Sequence, residues 1–196
     1  LTRETDTTRQ PGSTFKILAA YSAALDAGGL TLASVQDDAP YTYAGANGKS
    51  VNNYDRRYRG FTTLREAITD SINIVTVKTL AQAGVSLGWQ YVQEYGFTTV
   101  DSRDMNEALA LGGITQGVSN LELTAAYAAI ANQGTYIKPK FYTKILDHDG
   151  NVLIDNTTPE SHTVIKDTTA WLLTSAMEDV MPSGTGTSAY FGSSMA

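Results

Sequence analysis

The chain has 196 residues, enough for one domain with a real core. With 14 Lys+Arg against 20 Asp+Glu its formal charge is −6, which argues against nucleic acid as a partner and gives a membrane no broad positive face. Zero cysteine excludes disulfides and thiolate metal sites, and with only His148 and His162 there is no histidine cluster for zinc; no metal or cofactor is expected. In chain order, Pro11-Gly12 breaks the backbone and a helix follows, with Phe15, Leu18, Ser22 and Leu25 on one stripe and Gly28-Gly29 closing it. Residues 30–60 are loop-rich. Tyr41-Thr42-Tyr43 has the character of a short strand, and Asn53 to Gly60 is the most basic patch, read as a solvated loop whose tyrosines hold it down. Thr63-Leu64-Arg65-Glu66 is a capping box that opens a helix with Leu64, Ala67 and Ile68 inward. A second helix runs through Ile74, Val77 and Leu80 to Gly84, which leaves Ser71-Ile72-Asn73 at the junction between the two.

Ser86 is the expected cap of a further helix carrying Trp89, Val92 and Tyr95. Residues 97–118 are irregular, with Leu109 to Ile114 a buried turn region. Ser119-Asn120-Leu121-Glu122 is another capping box, and its helix runs through Ala126 and Ile130 to Gly134. Alternation around Ile145, the turn Asp147-His148-Asp149-Gly150 and the return Val152-Leu153-Ile154 predict a hairpin; the Asp and His residues read as turn chemistry, not a metal site. Asp167 or Thr168 is expected to cap a last helix carrying Trp171, Leu172, Ala176 and Val180. No apolar run of about 20 residues appears. The chain starts at Leu1 and stops at Ala196, and both ends read as cut from a longer protein.

The chemistry centres on Ser13 and Lys16, one helical turn apart on one face at the start of the first helix. A serine is a poor nucleophile until a base takes its proton, and a desolvated lysine can be that base once its pKa is lowered. The positive end of the helix dipole favours charge developing on the serine oxygen. A serine N-cap followed by a solvated lysine has the same spacing. Ser71 can relay a proton, and the Asn73 amide can donate to a substrate carbonyl while its oxygen holds the lysine ammonium; helix-junction capping is the plain alternative. If the four residues serve one site, the Lys16 and Ser71 side chains should come within about 3 Å of Ser13.

Arg9-Gln10-Pro11-Gly12-Ser13-Thr14-Phe15-Lys16 resembles the nucleophile motif of penicillin-binding protein transpeptidase domains, and Ser71-Ile72-Asn73 their Ser-x-Asn element. Asn53 to Ala67, Leu111 to Val118 and Ala125 to Gly134 resemble the bifunctional class A members, so the similarity runs from about residue 9 to the C-terminus. It implies a mostly α chain with a β-hairpin, part of the α/β penicilloyl-serine transferase (β-lactamase/transpeptidase-like) fold, with residues 1–196 as one partial domain. The implied activity is D,D-transpeptidation: Ser13 is the nucleophile, Lys16 and Ser71 move protons, and Asn73 binds substrate. The implied partners are peptidoglycan stem peptides, β-lactam antibiotics and an upstream glycosyltransferase domain, at the extracytoplasmic face of a bacterial membrane where the parent protein is anchored.

One departure matters. The third motif, Lys-Thr-Gly, is absent, and Ser183-Gly184-Thr185-Gly186-Thr187 lacks its lysine. In the family that strand supplies an oxyanion-hole N–H and a groove edge, so the 196 residues alone are expected to be inactive, with apolar residues such as Phe15 or Trp171 partly uncovered. The rivals are a β-lactam-sensing domain that acylates once, marked by an upstream signalling segment, and a serine β-lactamase. Against the latter, no Glu-x-x-Leu-Asn pattern lies between Asn73 and Gly134.

Overall fold

The computed structural model describes Thr2, residues 5–44 and residues 48–192. Its elements follow the punctuation of the sequence. β1 (Thr8–Arg9) leads into a 3₁₀ turn at Gly12–Thr14, a π-helical segment at Ile17–Tyr21 and α1 (Ser22–Asp26). Then come β2 (Val35–Asp38), β3 (Tyr41–Thr42), β4 (Ser50–Val51), β5 (Gly60–Thr63), α2 (Leu64–Thr69), α3 (Asn73–Ala83) and α4 (Val85–Glu94). 3₁₀ turns at Ser102–Asp104 and Glu107–Leu111 precede β6 (Val118–Ser119), α5 (Asn120–Ala131) and β7 (Thr135–Ile137). The hairpin β8 (Lys144–Leu146) and β9 (Val152–Asp155), then β10 (Ser161–Thr163), α6 (Asp167–Glu178) and α7 (Val180–Ser183), complete the chain. A last 3₁₀ turn follows at Thr187–Ala189.

Among the described residues every sheet is two-stranded: β1 with β6, β2 with β5, β3 with β4, β7 with β10 and β8 with β9, all antiparallel. The core is therefore helical. The segment from Phe15 to Ala24 is buried without interruption, because it runs through the middle of the molecule and packs against α3, α4 and the turn at Glu107–Leu111. A segment buried on every side, here apart from Lys16 and Ser22 mostly apolar, needs neighbours that are small or flat where it passes. Gly88 on α4 is one such point, since a Cβ there would lie 2.5 Å from the Ala19 carbonyl oxygen.

Both capping boxes form, with Thr63 and Glu66 opening α2 and Ser119 and Glu122 opening α5. The hairpin turn is also where expected, with the Asp147 carboxylate accepting the backbone N–H groups of Asp149 and Asn151. Four expectations need correction. Helix α4 begins at Val85, one residue ahead of Ser86, because Gly84 at φ 109° turns the chain directly from α3. Neither Asp167 nor Thr168 caps α6; the backbone at Lys166 occupies that position and makes no side-chain cap bond. Tyr54 and Tyr58 do not pin the basic loop, for both are exposed, and the loop is held by Asn53 instead. Phe15 is fully buried edge-on against Phe97 (ring centroids 5.0 Å apart), so chain outside the 196 residues is not needed to cover it. Trp171 is open, at 69% exposure, beside an apolar groove of about 560 Å³ between α5 and α6.

Candidate active site

The nucleophile turn is set by its neighbours as much as by its own sequence. Gln10 clamps the backbone of Ile114, accepting its N–H (2.9 Å) and donating to its carbonyl, while the Tyr127 hydroxyl donates to the Thr14 carbonyl (2.6 Å). Gly12 and Gly112 both take positive φ and lie back to back, so that a Cβ on Gly112 would sit 2.5 Å from the Gly12 oxygen. Ser13 thus stands on a short 3₁₀ turn, exposed, ahead of the buried helix that carries Lys16. The run from Gly12 to Asp26 is one helical path of changing pitch, with π geometry from Ile17 to Tyr21. Local widening of that kind recurs at functional sites.

Lys16 is only 2% exposed, and its ammonium reaches across to the α2–α3 junction, donating to the Ser71 carbonyl (2.6 Å) and to Ser71 Oγ (2.9 Å). Those two oxygens favour the charged form, but desolvation wins and lowers the lysine from 10.5 to about 7. Ser71 is held in an uncommon conformation, at φ 54°. It occupies the position after the α2 cap, with its own N–H bonded to the Ile68 carbonyl (3.2 Å) and that of Ile72 to the Ala67 carbonyl (2.9 Å). This is the Schellman closure, whose left-handed residue is usually glycine. A serine there costs roughly 1–2 kcal/mol of backbone strain.

Ser13, Lys16 and Ser71 line one cavity of about 450 Å³, walled by Ile17, Ile68 and Tyr127. Ser13 and Ser71 also border a second cavity of about 480 Å³, where the walls are Asn73, Asn53, Arg59 and Asp70. The structure therefore brings Ser13, Lys16, Ser71 and Asn73 to one place on two adjoining grooves. Two details differ from expectation. Among the described residues the Ser13 hydroxyl has no hydrogen bond, because the lysine is engaged by Ser71; contacts of this kind often tighten only with substrate bound. Asn73 Oδ1 is not a partner of Lys16; the side chain turns away and donates from Nδ2 to the Asn52 carbonyl (2.8 Å). Gln10, Tyr127 and Asn53 were not expected at the site, although all three lie within the resembling stretches. No group of three or more His, Cys, Asp or Glu residues among the described residues could hold a metal ion.

Residues 1–194 match the family model of the penicillin binding protein transpeptidase domain. The chain is 38% identical to penicillin-binding protein 1F of Bacillus subtilis over 96% of its own length, and 33% identical to penicillin-binding protein 1A of Clostridium botulinum over 94%. It spans only about a quarter of the length of these relatives, 25% and 23% respectively. Among solved structures, penicillin-binding protein 1A of Haemophilus influenzae superimposes with a TM-score of 0.81 at 27% identity, covering 95% of this chain and 33% of that one. Penicillin-binding protein A of M. tuberculosis, solved as an imipenem acyl-enzyme complex, shares the fold with a TM-score of 0.79 at 20% identity, over 93% of this chain and 46% of that one. By sequence across nearly its whole length, and by fold, the chain belongs to the penicillin-binding protein transpeptidase domain family.

Proposed function

We propose that these 196 residues are the nucleophile-bearing part of a peptidoglycan D,D-transpeptidase that acts through a serine acyl-enzyme. The observation that carries the reading is the buried Lys16 amine, lowered to about 7, bonded to Ser71 and sharing a cavity with Ser13. In this reading the neutral Lys16 amine takes the Ser13 proton as Oγ attacks the penultimate D-alanine carbonyl of a stem peptide. The C–N bond to the terminal D-alanine breaks, and the proton passes through the Ser71 hydroxyl to the leaving amine. An amine of a neighbouring stem then takes the acyl group and frees Ser13. The Ser13 N–H, next to the left-handed Gly12, supplies one oxyanion donor, and Asn73 binds the substrate backbone from the second groove. A β-lactam acylates the same serine and stays.

In the longer protein we place an upstream glycosyltransferase domain and an anchor that holds the enzyme at the extracytoplasmic membrane face. No helix among the described residues is long and apolar enough to cross a membrane. Acylation also requires a Lys-Thr-Gly strand, which the 196 residues do not contain. Removal of one oxyanion donor costs on the order of 10²–10³ in rate, and a groove wall goes with that strand. The test uses both forms. In a chain extended through the third motif, a fluorescent penicillin labels Ser13 and spares Ser13→Ala. The 196-residue chain incubated with excess β-lactam shows no adduct by intact mass within minutes. Labelling that survives Ser13→Ala refutes the nucleophile, and rapid stoichiometric acylation of the short chain refutes the role given to the third motif.

A further inference from the structure

Helix α3 begins without a cap of its own. Ile72 stands at its cap position and has no side-chain oxygen to offer, so the first N–H groups of the helix must find acceptors elsewhere. They find one atom, Oδ1 of Asn53, which accepts from Asn73 N (3.1 Å) and Ile74 N (3.2 Å) out of a loop 20 residues earlier. The other end of that amide is equally committed. Asn53 Nδ2 donates to both oxygens of Asp38 (2.8 and 3.0 Å) and to the Arg57 carbonyl (2.8 Å). Asp38 is fully buried on β2 and also accepts the Arg59 N–H (2.9 Å). The amide cannot be turned over, since that would set N–H against N–H and oxygen against oxygen. Its hydrogen-bonding capacity is spent inside the protein and it is 4% exposed, so a ligand is not what it holds.

What lies between these anchors is Ser71. On one side the Schellman closure of α2 fixes the Ser71 and Ile72 N–H groups; on the other, Asn53 fixes Asn73 and Ile74, and Asn52 fixes the Asn73 side chain. A left-handed serine persists only where both flanks are determined in this way. We propose that Asn53, braced by the buried Asp38 carboxylate, is a positioning residue that holds Ser71 left-handed with its carbonyl and hydroxyl turned onto Lys16. The inference rests on the activity proposed above for its catalytic meaning, but its geometry can be tested without turnover.

The test exchanges the two side chains. Asn53→Asp alone sets two carboxylates against each other at the distance of a hydrogen bond, and Asp38→Asn alone removes the brace. In the double variant Asp38→Asn/Asn53→Asp, a carboxylate accepts the α3 N–H groups, which the helix dipole favours, and the amide at position 38 donates to it while accepting from Arg59 N–H; the bond to the Arg57 carbonyl is the one not restored. The readout is the NMR titration of the Lys16 amine in the folded 196-residue chain, with a thermal melt of each variant alongside. In Asn53→Asp and Asp38→Asn the two Ser71 oxygens that favour the ammonium are turned off it, so the Lys16 midpoint falls from about 7 by at least about one pH unit, a tenfold change in proton affinity, and the double variant returns it. Single variants that melt earlier yet leave the Lys16 midpoint in place overturn the proposal, for Asn53 is then a helix cap and nothing more. If the single variants do not fold, the double variant decides. A wild-type midpoint supports the proposal, and a midpoint displaced from it by about one pH unit or more overturns it. A wild-type chain extended through the third motif that no β-lactam acylates would refute the activity and leave the titration to decide the role of Asn53.

Discussion

Burying Lys16 has a measurable cost, and its sign follows from linkage. The folded-state pKa is about 7 and the unfolded value 10.5, so between those pH values the unfolded chain binds more protons and stability rises with pH. Below about 7 both states are protonated and the penalty is at its full size; it fades as pH climbs toward 10.5. At about 1.36 kcal/mol per pKa unit, the penalty is about 4–5 kcal/mol at pH 6 and about 1 kcal/mol at pH 10. Lys16→Met keeps the length and apolar stem but carries no proton. The difference in unfolding free energy between Lys16→Met and the parent should therefore shrink by about 4 kcal/mol between pH 6 and pH 10. Lost bonds to Ser71 and altered packing are to first order independent of pH, and other titrating groups are common to both proteins, so both drop out of that change. Urea titrations of the two proteins at pH 6, 8 and 10 measure it. A difference that stays constant within about 1 kcal/mol would refute the depressed lysine, and with it the argument that desolvation prepares Lys16 as a base.

Two further substitutions separate strain and packing from chemistry. Ser71→Gly relieves the left-handed residue, so the melting temperature should hold or rise. Acylation in a chain carrying the third motif should fall by at least about two orders of magnitude because the hydroxyl on Lys16 is gone; acylation at the parent rate would remove Ser71 from the proton path. Gly112→Ala places a Cβ against the Gly12 backbone at a positive φ, and should lower stability by about 1–3 kcal/mol in denaturant titration while slowing Ser13 labelling. Unchanged labelling there would mean that the Gly12–Gly112 contact does not shape the nucleophile turn.

Features whose physics is local were legible in the sequence. The capping boxes at Thr63–Glu66 and Ser119–Glu122 each join residues three apart, and the Asp147–Gly150 turn closes on itself, so letters and spacing sufficed. The same holds for the Ser13–Lys16 spacing and for the junction at Ser71, both of which precede or divide helices with clear apolar stripes. The family resemblance told which distant motifs to pair, which spacing by itself does not. Pairing of β2 with β5 was missed because Val35–Asp38 is half acidic and meets Gly60–Thr63 only across the intervening loop. Tertiary structure alone decided how Lys16 is used. Its pKa depends on burial, and its partner lies 55 residues away. It also decided that Asn53, which reads as one of several loop asparagines, caps a helix 20 residues downstream. Desolvation and long-range capping depend on which surfaces meet. Neither leaves a periodic trace in the chain.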